Sequence, residues 1–434
     1  MVILVDGLRA DLPGTSGAEA AFFEAAGLPA GVRSSSAYAQ ALTPFLSLGA
    51  VLSGRYPTSL PLCGPLSSGN GAIHQPWCMQ IPEDVPTLPE VLGLENENTD
   101  QAGSSRYQSL LIADGIPGDP VLGQEFDAWQ SYGNPTASQP PAYGDVQEQA
   151  SSWWTETSGP RLLVIASGAL SLEQKPEVRT QIGIQGSVEN LDSQPSADLR
   201  SRAHEVYTEL ARDAGSHIGA VIASLETSER PIVQVVGGLS GTSLIETSPF
   251  PDQPVPALSS GLLLERTLRV PLHVSGTAIE AGEVEEVVEL VDILPTLLTR
   301  TGDTLPAGAV GSDLLGSRPE SDPLAYAQFG DMRALRMGPY LLTWRAFVHG
   351  ASTLDPRVGE GLAYAMQTRH RLFLHRVTED GLQEVDLKES ETDALRALLV
   401  ELFRREMIFA APPEELMTPD HIRELQMSSS DGYW

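Results

Sequence analysis

The sequence predicts an α/β protein on a large, mostly parallel sheet, followed by a smaller C-terminal α+β subdomain with an antiparallel sheet. Strands alternate with helical stretches for most of the length, the order expected of βαβ units. Several strand runs, such as "VILV" and "LLVI", are apolar at every position, as in strands covered on both faces. Beyond about residue 316 the pattern changes to antiparallel-type strands and a closing helix, which divides the chain into 1–315 and 316–434. No internal repeat or low-complexity tract is visible.

The elements follow in order. Val2–Val5 run into Asp6-Gly7, and a helix-like stretch begins at Leu8. "SLGAVLSGRYP" (47–57) reads as a helix ended by Gly54, with Pro57 barring continuation. "EDVPTLPEVLG" (83–93) reads as a short capped helix and "SLLIADG" (109–115) as a strand, with a Pro/Gly/Ser/Tyr-rich surface loop over 130–145. A helix up to Trp153-Trp154 precedes the strand "RLLVIASG" (161–168). Residues 199–226 form the clearest amphipathic helix, with Ala203, Val206, Leu210, Ala214 and Ile218 at 3.6-residue spacing. "PIVQVVGG" (231–238) and "RVPLHVSG" (269–276) are strands, and "VEEVVELVDILPTLLTRTG" (284–302) reads as a helix kinked or broken at Pro295. "MRALRMGPYLLTWRAF" and "HRLFLHRVTEDGLQEVDL" read as antiparallel strands before a helix at 392–407.

The 434 residues carry 27 basic against 57 acidic side chains, a net charge of −30, which argues against nucleic acid or an anionic membrane as partner. No apolar run reaches the length of a membrane span. Lys175 and Lys388 are the two lysines; the remaining positive charge is arginine. Cys63 and Cys78 would staple their Gly/Pro/Ser-rich segment in an oxidising compartment, and would be two unrelated thiols in cytosol. A core strand that begins at Met1 leaves room for a missing upstream signal or anchor. Localisation is therefore open: extracytoplasmic if such a piece existed, otherwise cytoplasmic.

The order of these pieces resembles the sulfatase family of the alkaline-phosphatase superfamily over nearly the whole chain. "VILVDGLRADLPG" resembles its first strand and metal-binding tip, and "VLSGRYP" the helix after its nucleophile. "PEDVPTLPEVLG", "GQEFDAW", "LRVPLHVSG" with "VELVDILPTLL", "ALRMGPYLLTW" and the closing "IRELQMSSSDGYW" resemble later blocks in the family's order. The resemblance implies a three-layer αβα sandwich with a smaller C-terminal subdomain. It also implies hydrolysis of sulfate or phosphate esters by a nucleophile beside a hard divalent cation, which neutralises anionic oxygens and activates the attacking group.

The catalytic positions fare unevenly. Asp6 matches the first metal aspartate, and a helix-capping Asp is the competing reading. Gly7 stands where many sulfatases carry a second aspartate, although related phosphodiesterases also have Asp-Gly. The nucleophile pattern, counted back from Gly54, falls on Pro44; aligned on Pro44 it falls on Leu42; only an inserted residue reaches Thr43. Thr43 is thus a candidate nucleophile or simply a helix N-cap before Pro44. At the tip of the late strand Gly238 and Leu239 take the place of two metal ligands. "LLVIASGALSLEQKP" lacks the expected His and Asp, leaving Lys175 beyond it. Arg55 and Arg269 are candidate substrate-binding residues, with Arg9 as a third cation carried toward the strand tips. His74, whose loop follows the nucleophile segment, is the one histidine to test against the site, with a surface histidine as the competing reading.

Two functions follow. In the first, the scaffold is a pseudoenzyme: a binding or structural module with no cofactor, acting beside a protein partner or an active paralogue. In the second it is an ester hydrolase with Thr43 as nucleophile and a single Ca²⁺ or Mg²⁺ on Asp6, with further ligands from Asp11, Asp114 or Asp119. Loss at three separated positions that share nothing but catalysis favours the first.

Overall fold

The computed structural model describes residues 1–10, 17–57, 81, 85–93, 107–116, 122–123, 125–132, 143–172, 176–183, 196–225, 232–244, 263–316, 324–329, 332–345, 372–377 and 385–410. In chain order the first half holds β1 (Val2–Asp6), α1 (Ala18–Ala26), β2 (Gly31–Tyr38), α2 (Pro44–Ser53), α3 (Leu88–Gly93), β3 (Gln108–Asp114), β4 (Ala128–Tyr132), α4 (Tyr143–Glu156) and β5 (Arg161–Ser167). Then come α5 (Pro176–Ile182), α6 (Ala197–Leu225), β6 (Val233–Ser240), α7 (Glu265–Leu268), β7 (Arg269–Gly276), β8 (Gly282–Glu283), β9 (Val288–Glu289) and α8 (Ile293–Thr301). The chain continues through β10 (Leu324–Phe329), β11 (Met332–Met337), β12 (Tyr340–Arg345) and β13 (Leu372–Arg376) to α9 (Thr392–Ala410).

The first nine strands form one sheet in the order β4-β3-β5-β1-β6-β7-β2-β8, with β9 also on β2. The apolar runs Val2–Val5 of β1 and 162–166 of β5 let these strands bury both faces. Val2, Leu4, Val164 and Ala166 meet α2, α3 and α8 on one side; Ile3, Val5, Leu163 and Ile165 meet α1, α4 and α6 on the other. The result is three layers, αβα. All pairings are parallel except those of β7, which runs against both β6 and β2. The C-terminal ends of β1, β2, β3, β5 and β6 therefore share one edge, and the first residue of β7, Arg269, lies on it.

Two local expectations are corrected. No helix starts at Leu8; residues 8–10 run back across the strand tips, because Gly7 turns the chain with φ +82°. The 284–302 segment is not one kinked helix. It contains β9, a 3-10 turn at Leu290–Asp292, and then α8. Pro295 sits in the first turn of α8, where its missing N–H costs no helical bond.

The second sheet, β10-β11-β12-β13, is antiparallel throughout. One face packs Leu335, Leu342 and Trp344 on α9; the other packs Ala325, Ala334 and Leu341 on Tyr38, Leu42 and Leu264 at the main sheet's C-terminal edge. Gln328 N donates to Gln40 O at 2.9 Å, and Thr343 Oγ1 to Leu263 O at 2.7 Å, across this junction. Tyr56 Oη donates to buried Glu289, Arg405 Nη1 donates to Tyr56 Oη at 2.6 Å, and Tyr326 N donates to Glu289 Oε1 at 2.8 Å. Burial raises the Glu289 carboxyl, and the Arg405 cation opposes that shift. Among the described residues no helix is long and apolar enough to cross a membrane.

Tyr56→Phe leaves Glu289 and Arg405 each short of a partner in a buried setting. It is expected to lower the unfolding free energy by about 1–3 kcal/mol, seen as a reduced urea midpoint at unchanged m.

Candidate active site at the strand tips

Open α/β sheets place ligands at the carboxyl ends of their strands, and Asp6 is the last residue of β1 there. The β1–β6 register breaks between Val5 and Asp6: Val5 pairs with Gly238, but Asp6 pairs with Ser240. The residue facing Asp6 is thus Ser240 and not Gly238 or Leu239. Ser240 Oγ donates to Asp6 Oδ1 at 2.5 Å, and Ser171 Oγ, from the turn after β5, donates to Oδ2. Asp6 is 8% exposed. Both of its oxygens accept from hydroxyls, an arrangement that satisfies a buried carboxylate. Among the described residues no helix begins at Leu8 for it to cap.

The glycines show how closely the tip is packed. A Cβ on Gly7 would lie 2.1 Å from Leu170 O, at a positive φ as well. A Cβ on Gly238 would lie 2.2 Å from Leu8 O and 2.7 Å from Val270 Cβ. Leu239 is fully buried in the apolar core. The 7–10 segment is held down by Tyr207, whose hydroxyl donates to Gly7 O at 2.7 Å and accepts from Arg9 N at 3.0 Å. Ala10 N donates to Arg269 O at 3.1 Å, and the buried Arg9 guanidinium lies over the Tyr207 ring with Nη1 3.4 Å from Thr242 O.

The other candidates are spread along this edge and beyond it. Thr43 is the N-cap residue of α2, with Pro44 at N1, and its hydroxyl makes no cap hydrogen bond. Arg55 follows the other end of that helix, about 15 Å away along the axis, and its Nη2 donates to Ala307 O at 2.6 Å. Arg269 donates through Nε to Ser35 O and lies 3.8 Å from Glu265. Asp114 ends β3, two strands from Asp6 and so about 10 Å across the sheet. The structure thus brings Asp6 and Arg9 into one segment and Arg269 beside it, and leaves Arg55 apart. Asp11, Cys63, His74, Cys78, Asp119 and Lys175 lie outside the described residues.

Among the described residues, no three His, Cys, Asp or Glu side chains converge as metal ligands. A hard cation needs six or more oxygens, and a side chain at Gly7 or Gly238 would run into neighbouring backbone. The described donor set does not fit the cation that the resemblance implies.

Solved structures share this architecture. A phosphonate monoester hydrolase from Silicibacter pomeroyi is 15% identical, with a TM-score of 0.57 over 93% of this chain and 93% of that one. A 2-O GAG sulfatase is 17% identical, with a TM-score of 0.61 over 93% and 91%. A protein solved with its substrate D-glucosamine-2-N,6-O-disulfate is 13% identical, with a TM-score of 0.62 over 96% and 99%. The chain has the sulfatase fold. At such identities the likeness is one of fold alone. No protein-family model matches the sequence, and no curated protein matches it.

Within this sulfatase fold, the reading of motifs missed Ser171, Ser240 and Glu265. A bulge decides the first pair's geometry, and sequence carries no mark of it. Glu265 opens α7 at 2% exposure, accepts from Tyr38 Oη at 2.6 Å, and lies 3.9 Å from Arg336 of β11. On the same face of the second sheet, buried His375 is pushed down to about 4, first by burial and then by the Arg266 and Arg336 cations, with Asp386 opposing.

Gly7→Ala must move the Leu170 backbone or refold the turn, and is expected to cost on the order of 3 kcal/mol by urea denaturation. His375 binds its proton in the unfolded chain near pH 6.5 and in the folded chain only near 4. Its contribution is therefore fully present above about pH 6.5 and is lost as pH falls toward 4, by about 3 kcal/mol in total. His375→Gln is expected to flatten that part of the stability–pH curve.

Proposed function

We propose that this chain is a sulfatase-fold protein without ester-hydrolase activity, serving as a binding or structural module. The observation that carries the reading is the state of Asp6, whose two carboxylate oxygens are taken by the Ser171 and Ser240 hydroxyls. The neighbouring positions, Gly7 and Gly238, are filled by backbone. Hydrolysis of such esters requires barrier lowering on the order of 20 kcal/mol. One carboxylate already engaged by hydroxyls does not supply it without co-ligands.

One observation favours the alternative of a metal-dependent sulfuric- or phosphoric-ester hydrolase. Thr43 sits at the N-terminus of α2 with a hydroxyl that makes no cap bond, where helix N–H groups favour an anion. In that reading Thr43 attacks, Asp6 holds the cation, and Arg269 steers the ester.

Titration of the purified protein with Ca²⁺, Mg²⁺, Mn²⁺ and Zn²⁺, alongside aryl sulfates and aryl phosphates as substrates, separates the two. The proposal expects no tight site and no turnover above buffer. Tight one-site binding, with turnover abolished by Asp6→Ala and by Thr43→Ala, would establish the hydrolase instead.

A further inference from the structure

We propose that β4, an edge strand of the main sheet, is a docking strand for an extended basic segment of a partner protein, which adds to the sheet as one more strand. This edge lies three strands from Asp6, and its role holds whether or not the strand tips carry chemistry. Gly115 N donates to Tyr132 O at 2.8 Å in continuation of the β3–β4 ladder, so Tyr132 turns its backbone groups toward β3. Backbone groups alternate sides along a strand, and Trp129 and Ser131 therefore aim their N–H and C=O away from the sheet. No described residue bonds to those outward groups. Ala128 and Gln130 are exposed, and Trp129 is 42% exposed.

Open edge strands are normally guarded by a charge, a proline, a bulge or a very short length. The opposite edge follows that rule, since β8 is two residues long and carries Glu283. β4 does not: Ala128–Tyr132 has no charged residue, no proline and an unbroken register with β3. Charge lies beside the strand instead, and it is of one sign. Burial and then the Glu90 charge raise the Glu125 carboxyl just before β4. At the other end, burial and then Asp145 and Glu148 of α4 raise the Tyr132 hydroxyl. Glu125, Asp145 and Glu148 have no ion-pair partner among the described residues. Such a rim repels a second copy of this acidic chain and attracts arginine or lysine. Backbone bonds along 129–131 then supply the attachment, and the exposed Trp129 ring offers a face for an arginine to stack on.

The test is fluorescence anisotropy on the full-length chain with three labelled heptapeptides. Each has a Thr-Val-Thr-Val-Thr centre: one flanked by arginines, one by glutamates, and one by arginines with its five central amides N-methylated. The expected result is saturable binding of the arginine peptide that weakens with salt. The glutamate and N-methylated peptides each bind at least about tenfold more weakly, through lost charge attraction and lost backbone donors. Ser131→Pro removes an outward N–H without touching the β3 ladder and weakens the arginine peptide by at least about tenfold. Asp145→Asn/Glu148→Gln reduces both its affinity and its salt dependence. No saturable binding of the arginine peptide overturns the proposal, as does equal binding of the glutamate or the N-methylated peptide. Unchanged affinity in folded Ser131→Pro moves the site off β4 and also overturns it. If that variant gives no folded protein, the Asp145→Asn/Glu148→Gln variant decides: weaker binding supports the edge, and unchanged binding overturns it. Self-association of the wild type in sedimentation runs, with the arginine peptide unable to compete, makes a second copy the occupant and overturns the basic partner.

Discussion

A carboxylate buried at the end of a central strand has to be compensated, and the surroundings of Asp6 are built around that need. Left unpaired in a low-dielectric interior it would cost several kcal/mol. The register break after Val5 brings Ser240 level with it, and the turn after β5 delivers Ser171. Gly7 then reverses the chain so tightly that Leu170 rests on it, and Leu8 settles over Gly238. Once two hydroxyls satisfy Asp6, the space above it fills with backbone, and Tyr207 fixes that backbone from α6.

The second sheet is fastened to the same edge by two clusters of similar chemistry. Glu265 accepts from Tyr38 and faces Arg336; Glu289 accepts from Tyr56 and faces Arg405. In each case the carboxylate and the tyrosine come from the main layer and the arginine from the C-terminal elements. Breaking one partner leaves a buried charge exposed to loss, so these pairs fix where the second sheet sits more than they add to net stability. That position places Arg336 and His375 toward the strand-tip face, and burial beside Arg266 and Arg336 holds His375 neutral.

Much of this was legible from the chain. All-apolar runs at 2–5 and 162–165 announce strands covered on both faces, and 3.6-residue spacing announces α6. Gly54 marks the end of α2 because it takes a left-handed conformation there. The parallel sheet, the layers and the separate antiparallel sheet follow from such local rules. Asp6 at a strand tip was legible too, but its partners were not. Pairing of Asp6 with Ser240 depends on one bulge, and a shift of one residue moves every side chain to the other face. The 284–302 segment has helical composition, yet its first part adds to the sheet through β9, where contacts with β2 outweigh propensity. Arg55 reads as an anion-binding residue by resemblance, while its guanidinium reaches the Ala307 carbonyl, a contact 252 residues away that no spacing rule reveals.

The most direct measurement is a crystal structure of the wild-type chain grown in excess Ca²⁺, with the density around Asp6 read for oxygens and for a cation. Hydroxyls of Ser171 and Ser240 on the two carboxylate oxygens, with no ion peak, are the expected result. A peak coordinated by Asp6 at about 2.3–2.6 Å, with the two serines turned away or serving as ligands, would contradict the hydroxyl clamp and return the tip to metal chemistry.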